Sequence, residues 1–146
     1  MYIVSACLTG ACCKYNGRKN TCSWVAAFVR SHSCALVCPE NLGGLKIPRP
    51  PAEITDGRAY DKDGKDVTYE LTTGAEAAYE MARAAAAEIN EEFEGAILKA
   101  NSPSCGCGRI YDGTFTGRLV SGDGFFTKLL MEKGIAVTTE KEVLVW

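Results

Sequence analysis

The sequence carries a single histidine, His32, and no Cys-x-x-Cys pair among its eight cysteines. Its charges nearly cancel: 16 Lys and Arg against 18 Asp and Glu leave -2. Without a basic stripe, nothing marks a nucleic-acid backbone as a partner. The longest apolar runs, such as Ala82–Ala87 interrupted by Arg83, fall far short of the roughly 20 residues that span a membrane. The start, Met1-Tyr2-Ile3-Val4, has no basic region ahead of an apolar stretch, so no signal peptide is expected and the cytoplasm is the simplest location. Neither an internal repeat nor a low-complexity linker divides the chain.

What is present is a core. At 146 residues with 47% hydrophobic content, residues 1–146 suit one domain able to bury about 70% of its unfolded surface. Eight cysteines would read as a disulfide framework in a short secreted protein. A core of this size needs no staples, and the cytosol keeps thiols reduced. Metal ligation, catalysis and plain burial are then the competing explanations.

Ile3–Ala6, Ala35–Val37, Ala96–Leu98 and Ile135–Val137 are short apolar runs that read as buried strands. Between them, Trp24, Val25, Phe28 and Val29 share a helical face, with Thr21 or Ser23 as cap. Residues 43–72 are rich in turn signals, and Asp63-Gly64 predicts a small hairpin between Tyr60 and Val67. Thr73-Gly-Ala-Glu76 reads as a capping box that opens the clearest helix. Tyr111–Arg118 reads as a surface hairpin or loop. A last helix is predicted over Phe125–Lys133, with Asp123 as N-cap and Gly134 as stop. Strands alternating with helices specify an α/β fold: a single Rossmann-like domain, its central, mainly parallel sheet covered by helices on both faces.

Cys7, Cys38 and Cys105 each follow one of the first three strands. In a parallel sheet those strand ends share one edge, where open α/β sheets bind ligands. Thiols distant in sequence are thereby gathered without local spacing. Cluster iron is held by thiolates, normally four; three leave one iron with an open position that acts as a Lewis acid. The competing reading is three buried thiols gathered by chance. Structural zinc, which takes four ligands at close paired spacing, fits less well. Cys12, Cys13 and Cys107 are the reserves for a fourth ligand. Cys22 and Cys34 read as core, and His32, near a helix end, as a surface or capping residue.

Several motifs resemble the thiouracil desulfidase (thiouracil desulfurase) family. These are Val4-Ser5-Ala6-Cys7-Leu8-Thr9-Gly10, Tyr15-Asn16-Gly17, Val37-Cys38-Pro39-Glu40 with Gly43-Gly44-Leu45, and Pro48-Arg49-Pro50-Pro51-Ala52-Glu53. They continue through Gly64–Thr68, Leu98–Gly106, Ile110–Phe115 and Gly122-Asp123-Gly124, in order over nearly the whole chain. The resemblance implies an enzyme holding a 4Fe-4S cluster on Cys7, Cys38 and Cys105, with Cys13 as reserve ligand. It implies non-redox removal of sulfur from a thiolated uracil, releasing the oxo compound and hydrosulfide. The family's catalytic glutamate falls on Glu40, and its catalytic serine on Ser102 or Ser104, with Ser102 favoured.

The residue types suit that chemistry. A thiocarbonyl sulfur is soft and prefers iron to hard ligands, and Glu40 is suited to deprotonating a water. For Glu40 the bland alternative is a capping or salt-bridged carboxylate, with Arg49 as partner. Arg49 and Glu53 are equally able to pair with each other. Lys99 faces either the cleft or solvent. Tyr111 and Phe115 are suited to stacking on a planar base or to core packing. The expected partner is a small thiolated base, with no nucleic acid and no membrane; the oligomeric state is left open. The rivals are a sulfur-salvage or sulfur-transfer enzyme acting on another thioamide, and a non-catalytic iron–sulfur sensor.

Overall fold

A computed structural model describes residues 1–11, 14–17 and 20–142. Its centre is a parallel sheet in the order β2-β1-β5-β8, built from β1 (Tyr2–Ser5), β2 (Cys34–Val37), β5 (Gly95–Leu98) and β8 (Val137–Thr139). Tyr2 lies opposite Cys34 on one side and Gly95 on the other, and Leu98 lies opposite Thr139. β1 and β5 are buried along their whole length, as central strands covered on both faces must be.

Helix α1 (Ser23–Ser31) covers one face and sets the fully buried Val25 against Tyr2, Val4 and Ile97. Helices α3 (Thr68–Glu88) and α4 (Phe125–Glu132) cover the other face, where Ala75, Ala78, Ala82, Phe126 and Leu130 meet Ile3, Ala35, Val37 and Leu98. The alanine row does two things: alanine is the strongest helix former, and its small side chain lets α3 lie close on the sheet. Full burial of side chains such as Phe126 and Leu130 contributes roughly 1.5–3 kcal/mol each. The α/β reading therefore holds, with helices on both faces. So does the surface reading of His32, which terminates α1 and stacks on Phe28 at 3.8 Å between ring centroids.

Local corrections follow from backbone hydrogen bonding. The long helix begins at Thr68, not Thr73: the Thr68 N–H is taken by Asp66 Oδ1 at 2.9 Å. Thr73 is interior and donates its hydroxyl back to the Tyr69 carbonyl at 2.9 Å. Asp123 does not cap α4; Gly124 occupies that position, and Asp123 Oδ1 accepts the Gly108 N–H at 2.7 Å instead. The turn-rich stretch contains a true hairpin, β3 (Ala52–Thr55) with β4 (Arg58–Asp61), which turns at Asp56-Gly57. The expected Asp63-Gly64 hairpin is reduced to one bridge between Tyr60 and Asp66. A second hairpin joins β6 (Arg109–Tyr111) to β7 (Leu119–Ser121).

The short helix α2 (Pro39–Leu42) follows β2 directly and packs on α3 through two glycines. A Cβ on Gly43 would strike the Glu70 carbonyl, and one on Gly74 would strike the Pro39 carbonyl. Replacing an interior helical glycine by alanine ordinarily gains about 0.5–1 kcal/mol, whereas overpacking costs about 1–3 kcal/mol. Here overpacking dominates, because the obstacle is backbone and cannot rotate away. Gly74→Ala is expected to destabilise by about 1–2 kcal/mol, read as a lower urea midpoint at unchanged m-value. A raised midpoint would mean the two helices are not in backbone contact.

Candidate active site

The order β2-β1-β5-β8 has a switch point. From β1 the chain leaves toward α1 and β2 on one face, and from β5 it leaves toward α4 and β8 on the other. The exits diverge beyond the carboxyl ends of β1 and β5, and such a divergence opens a crevice. Here it is a cavity of about 430 Å³ whose lining includes Cys7, Cys38, Cys105, Glu40, Ser102, Ser104, Arg49, Lys99, Glu53, Tyr111 and Phe115. The three proposed ligand thiols, Glu40 and both candidate serines therefore meet in one place. Cys13, the reserve ligand, and Cys12 lie outside the described residues. Cys107 does not line the cavity; its thiol points to the Val137 carbonyl at 3.6 Å.

Each thiol is presented by a different device. Cys7 lies in a 3-10 turn, Ala6–Thr9, that continues β1 and ends at Gly10, where φ is +110°. Cys38 is the residue between β2 and α2, and Pro39 at the first helical position stops the strand. Cys105 hangs in a loop closed on Ser102, whose Oγ accepts the Cys105 N–H at 2.8 Å and whose carbonyl accepts the Gly106 N–H at 2.9 Å. The first amides of α4 then plug into that loop. Gly124, Phe125 and Phe126 donate to the carbonyls of Gly106, Pro103 and Ser104 at 2.8, 2.9 and 2.8 Å. Thr127 Oγ1 donates to the Cys105 carbonyl at 2.9 Å. Helix and loop satisfy each other's orphan groups. Gly124 is required by proximity, since its Cβ would strike the Ser104 backbone.

Burial pushes the Cys105 thiol pKa strongly up. A hydrogen bond from Ser5 pulls it back down, and negative charge on Cys7, Glu40 and Cys38 pushes it up again. The Ser5 oxygen accepts the Lys99 N–H at 3.0 Å, which leaves its O–H to face sulfur. Among the described residues no three His, Cys, Asp or Glu side chains close around a single ion. The sulfur donor set comes from three separate segments of the chain and converges on one cavity. It fits a body with several metal atoms, each bound to its own thiolate. Ser104 agrees with this: its Oγ is buried, lines the cavity and has no protein partner.

The charged groups are held in place. Arg49 Nε pairs with Glu40 Oε1 at 3.3 Å, with side-chain exposures of 7% and 18%. The Arg49 Nη1 also donates to the Lys46 carbonyl at 3.0 Å, and its backbone N–H to the Tyr15 carbonyl at 2.6 Å. Lys99 turns toward Glu140, with Nζ 3.1 Å from Oε2, while the other Glu140 oxygen accepts the Ala100 N–H at 2.6 Å. Arg49 therefore does not pair with Glu53.

The role of Glu53 is one that sequence reasoning missed. Buried on β3, it accepts the N–H groups of Gly113 and Phe115 on one oxygen, at 3.0 and 3.1 Å. Phe115 has φ +58°, a conformation costing a bulky residue roughly 1–3 kcal/mol. Two hydrogen bonds to a carboxylate contribute about 1.5–3 kcal/mol each, enough to hold it. The positive φ at Gly113 could have been expected from its glycine, but the acceptor that exploits it could not.

The chain matches the family model "2-thiouracil desulfurase" over residues 2–142. It is 39% identical over 153 aligned positions to the protein YbbK of Bacillus subtilis (strain 168), covering 98% of this chain and 97% of that protein. Among solved structures it is similar to the 4Fe-4S-dependent thiouracil desulfidase TudS, with TM-score 0.84 and 39% identity, covering 97% of this chain and 91% of that one.

The two serines should separate in protein prepared free of metal. Ser102→Ala removes the Cys105 amide's acceptor and should cost about 1 kcal/mol. Ser104→Ala removes a buried hydroxyl without a partner and should be neutral or stabilising by up to about 1 kcal/mol. Urea unfolding of the two variants checks the order; a reversal would contradict the hydrogen bonding described.

Proposed function

The chain belongs to the 2-thiouracil desulfurase family of carbon–sulfur-cleaving enzymes, and on that premise we propose that it hydrolyses a thiolated pyrimidine to the oxo compound and hydrosulfide. The observation that carries this reading is one cavity whose lining brings Cys7, Cys38 and Cys105 together with Glu40, Ser102 and Ser104. Its size, about 430 Å³, lies in the ordinary range for small-ligand sites. Cys7, Cys38 and Cys105 would hold a 4Fe-4S cluster, and the cluster would supply an iron without a protein ligand, a Lewis acid for a soft thiocarbonyl sulfur.

The remaining chemistry belongs to the chain. In the balanced reaction the oxygen of water becomes the ring carbonyl oxygen, the carbon–sulfur double bond is broken with its electrons leaving on sulfur, and of water's two protons one departs on sulfur as hydrosulfide. Glu40 takes the proton released by water. The Arg49 guanidinium occupies one Glu40 oxygen and fixes the carboxylate's direction, leaving the second oxygen for water. Ser102 spends its lone pair on the Cys105 amide, so its hydroxyl proton is free to orient water or the ring. Ser104 is the second candidate because its hydroxyl has no competing partner. Lys99, tied to Glu140, contributes fixed positive charge to the wall. A purely sensing cluster has no use for a ring-sized cavity with a buttressed carboxylate, so catalysis is the better reading.

Among the described residues no helix is long and apolar enough to cross a membrane, and all six described cysteines are free thiols. Both facts suit a reducing compartment such as the cytoplasm.

Anaerobically reconstituted protein is expected to abolish the thiocarbonyl absorbance of thiouracil and release hydrosulfide in equal amount. Intact thiouracil beside an intact cluster would favour the sensor, and turnover of other thioamides alone would favour the salvage enzyme. Alanine at Cys7, Cys38 or Cys105 should remove the broad iron–sulfur absorbance. Colour retained in Cys38→Ala would pass the ligand role to Cys13. Glu40→Gln should keep the colour and slow turnover roughly 10²–10⁴-fold; a near-normal rate would remove Glu40 from the mechanism.

A further inference from the structure

The geometry points to Glu53 as a positioning residue that sets the aromatic wall of the cavity: by pinning segment 112–118 it holds the Phe115 ring where a flat substrate ring stacks. The inference rests on the desulfidase reading for the identity of that ring.

The connection between β6 and β7 is closed on itself. Asp112 N–H donates to the Arg118 carbonyl at 3.0 Å, Asp112 Oδ1 accepts from the Thr114 amide and hydroxyl at 2.9 and 2.6 Å, and the Thr114 and Thr116 hydroxyls lie 2.6 Å apart. Such a loop moves as a unit, and its orientation is decided by what fastens it to the body. That fastening comes from β3. Glu53 Oε1 accepts the amides of Gly113 and Phe115 at 3.0 and 3.1 Å. At Gly113 the chain passes so close to Thr55 that a Cβ would strike its hydroxyl. Both pinned residues have left-handed backbone, φ +95° and +58°.

The consequence concerns one side chain. Thr114, Thr116, Gly117 and Arg118 are exposed, while Phe115 between them is half-buried and lines the cavity with Tyr111 and Glu53 itself. A hinge in the left-handed region turns Phe115 inward against the trend of its neighbours. A carboxylate is suited to this task because one oxygen accepts two amides at once. An aromatic face at the wall discriminates by shape, favouring planar unsaturated rings over puckered or branched thioamides.

The test compares cluster-loaded wild type with Glu53→Gln, Glu53→Ala, Phe115→Leu and the Glu53→Ala/Phe115→Leu double variant, using thiouracil as substrate. Loss of stacking is expected to raise KM roughly 3–10-fold in Glu53→Ala and in Phe115→Leu, with kcat within about threefold. Glu53→Gln, which keeps an oxygen acceptor, should stay within about threefold of wild type. The double variant should be no worse than Glu53→Ala alone, because the two residues act through one contact. Multiplicative effects in the double variant, or a fall in kcat at unchanged KM, would assign Glu53 a general structural role and overturn the proposal. Hydrogen exchange at the Phe115 amide gives a readout independent of turnover: about tenfold faster exchange in Glu53→Ala supports the pin, and an unchanged rate refutes it. Wild type inert toward thiouracil, with Phe115 still released in Glu53→Ala, would instead locate the failure in the proposed reaction.

Discussion

Four parallel strands put every chain exit on one edge, and at β1 and β5 those exits turn to opposite faces of the sheet. The site depends on keeping that divergence narrow. Close backbone contact does so at both ends of the crevice. On one side α2 and α3 meet at Gly43 and Gly74; on the other, Gly124 lies against Ser104 and Cys105. Side-chain packing alone would leave helix axes about 8–10 Å apart and give the loops more freedom. Backbone contact leaves little play, so the Cys38 and Cys105 segments inherit the rigidity of α3 and α4.

The polar groups around the cavity are divided by chemistry. Nearly every hard donor is already engaged: Glu40 with Arg49, Glu140 with Lys99 and the Ala100 amide, Glu53 with two loop amides. The Ser104 hydroxyl has no protein partner, and burial makes a Cys105 thiolate costly on its own.

Strands β1, β2 and β5 were legible in the sequence because buried parallel strands are short, continuous apolar runs, and their ends carried the three cysteines with them. Helix starts were less legible. Thr73 and Glu76 have the right letters for a capping box, but Asp66 and Val67 begin the helix a turn and a half earlier, where the β4 connection delivers the chain. The two hairpins were blurred because three- and four-residue strands offer too few positions for alternation to register. Ion pairing was half legible: Arg49 had two acidic candidates, and sequence distance cannot rank partners that the fold brings together. Glu53 was illegible in principle, since its partners are backbone amides and no residue code marks an amide that lacks an acceptor.

The contrast between Glu40 and Glu53 shows how one fold gives two carboxylates different work. Glu40 stands one residue into α2, two positions beyond Cys38, and keeps an oxygen available because its partner is a side chain engaging the other one. Glu53 stands inside a strand, and the loop it holds is itself a wall of the cavity. Placement at a helix start two residues beyond Cys38 gives Glu40 a side-chain partner, whereas placement on a hairpin beside a loop gives Glu53 two backbone amides.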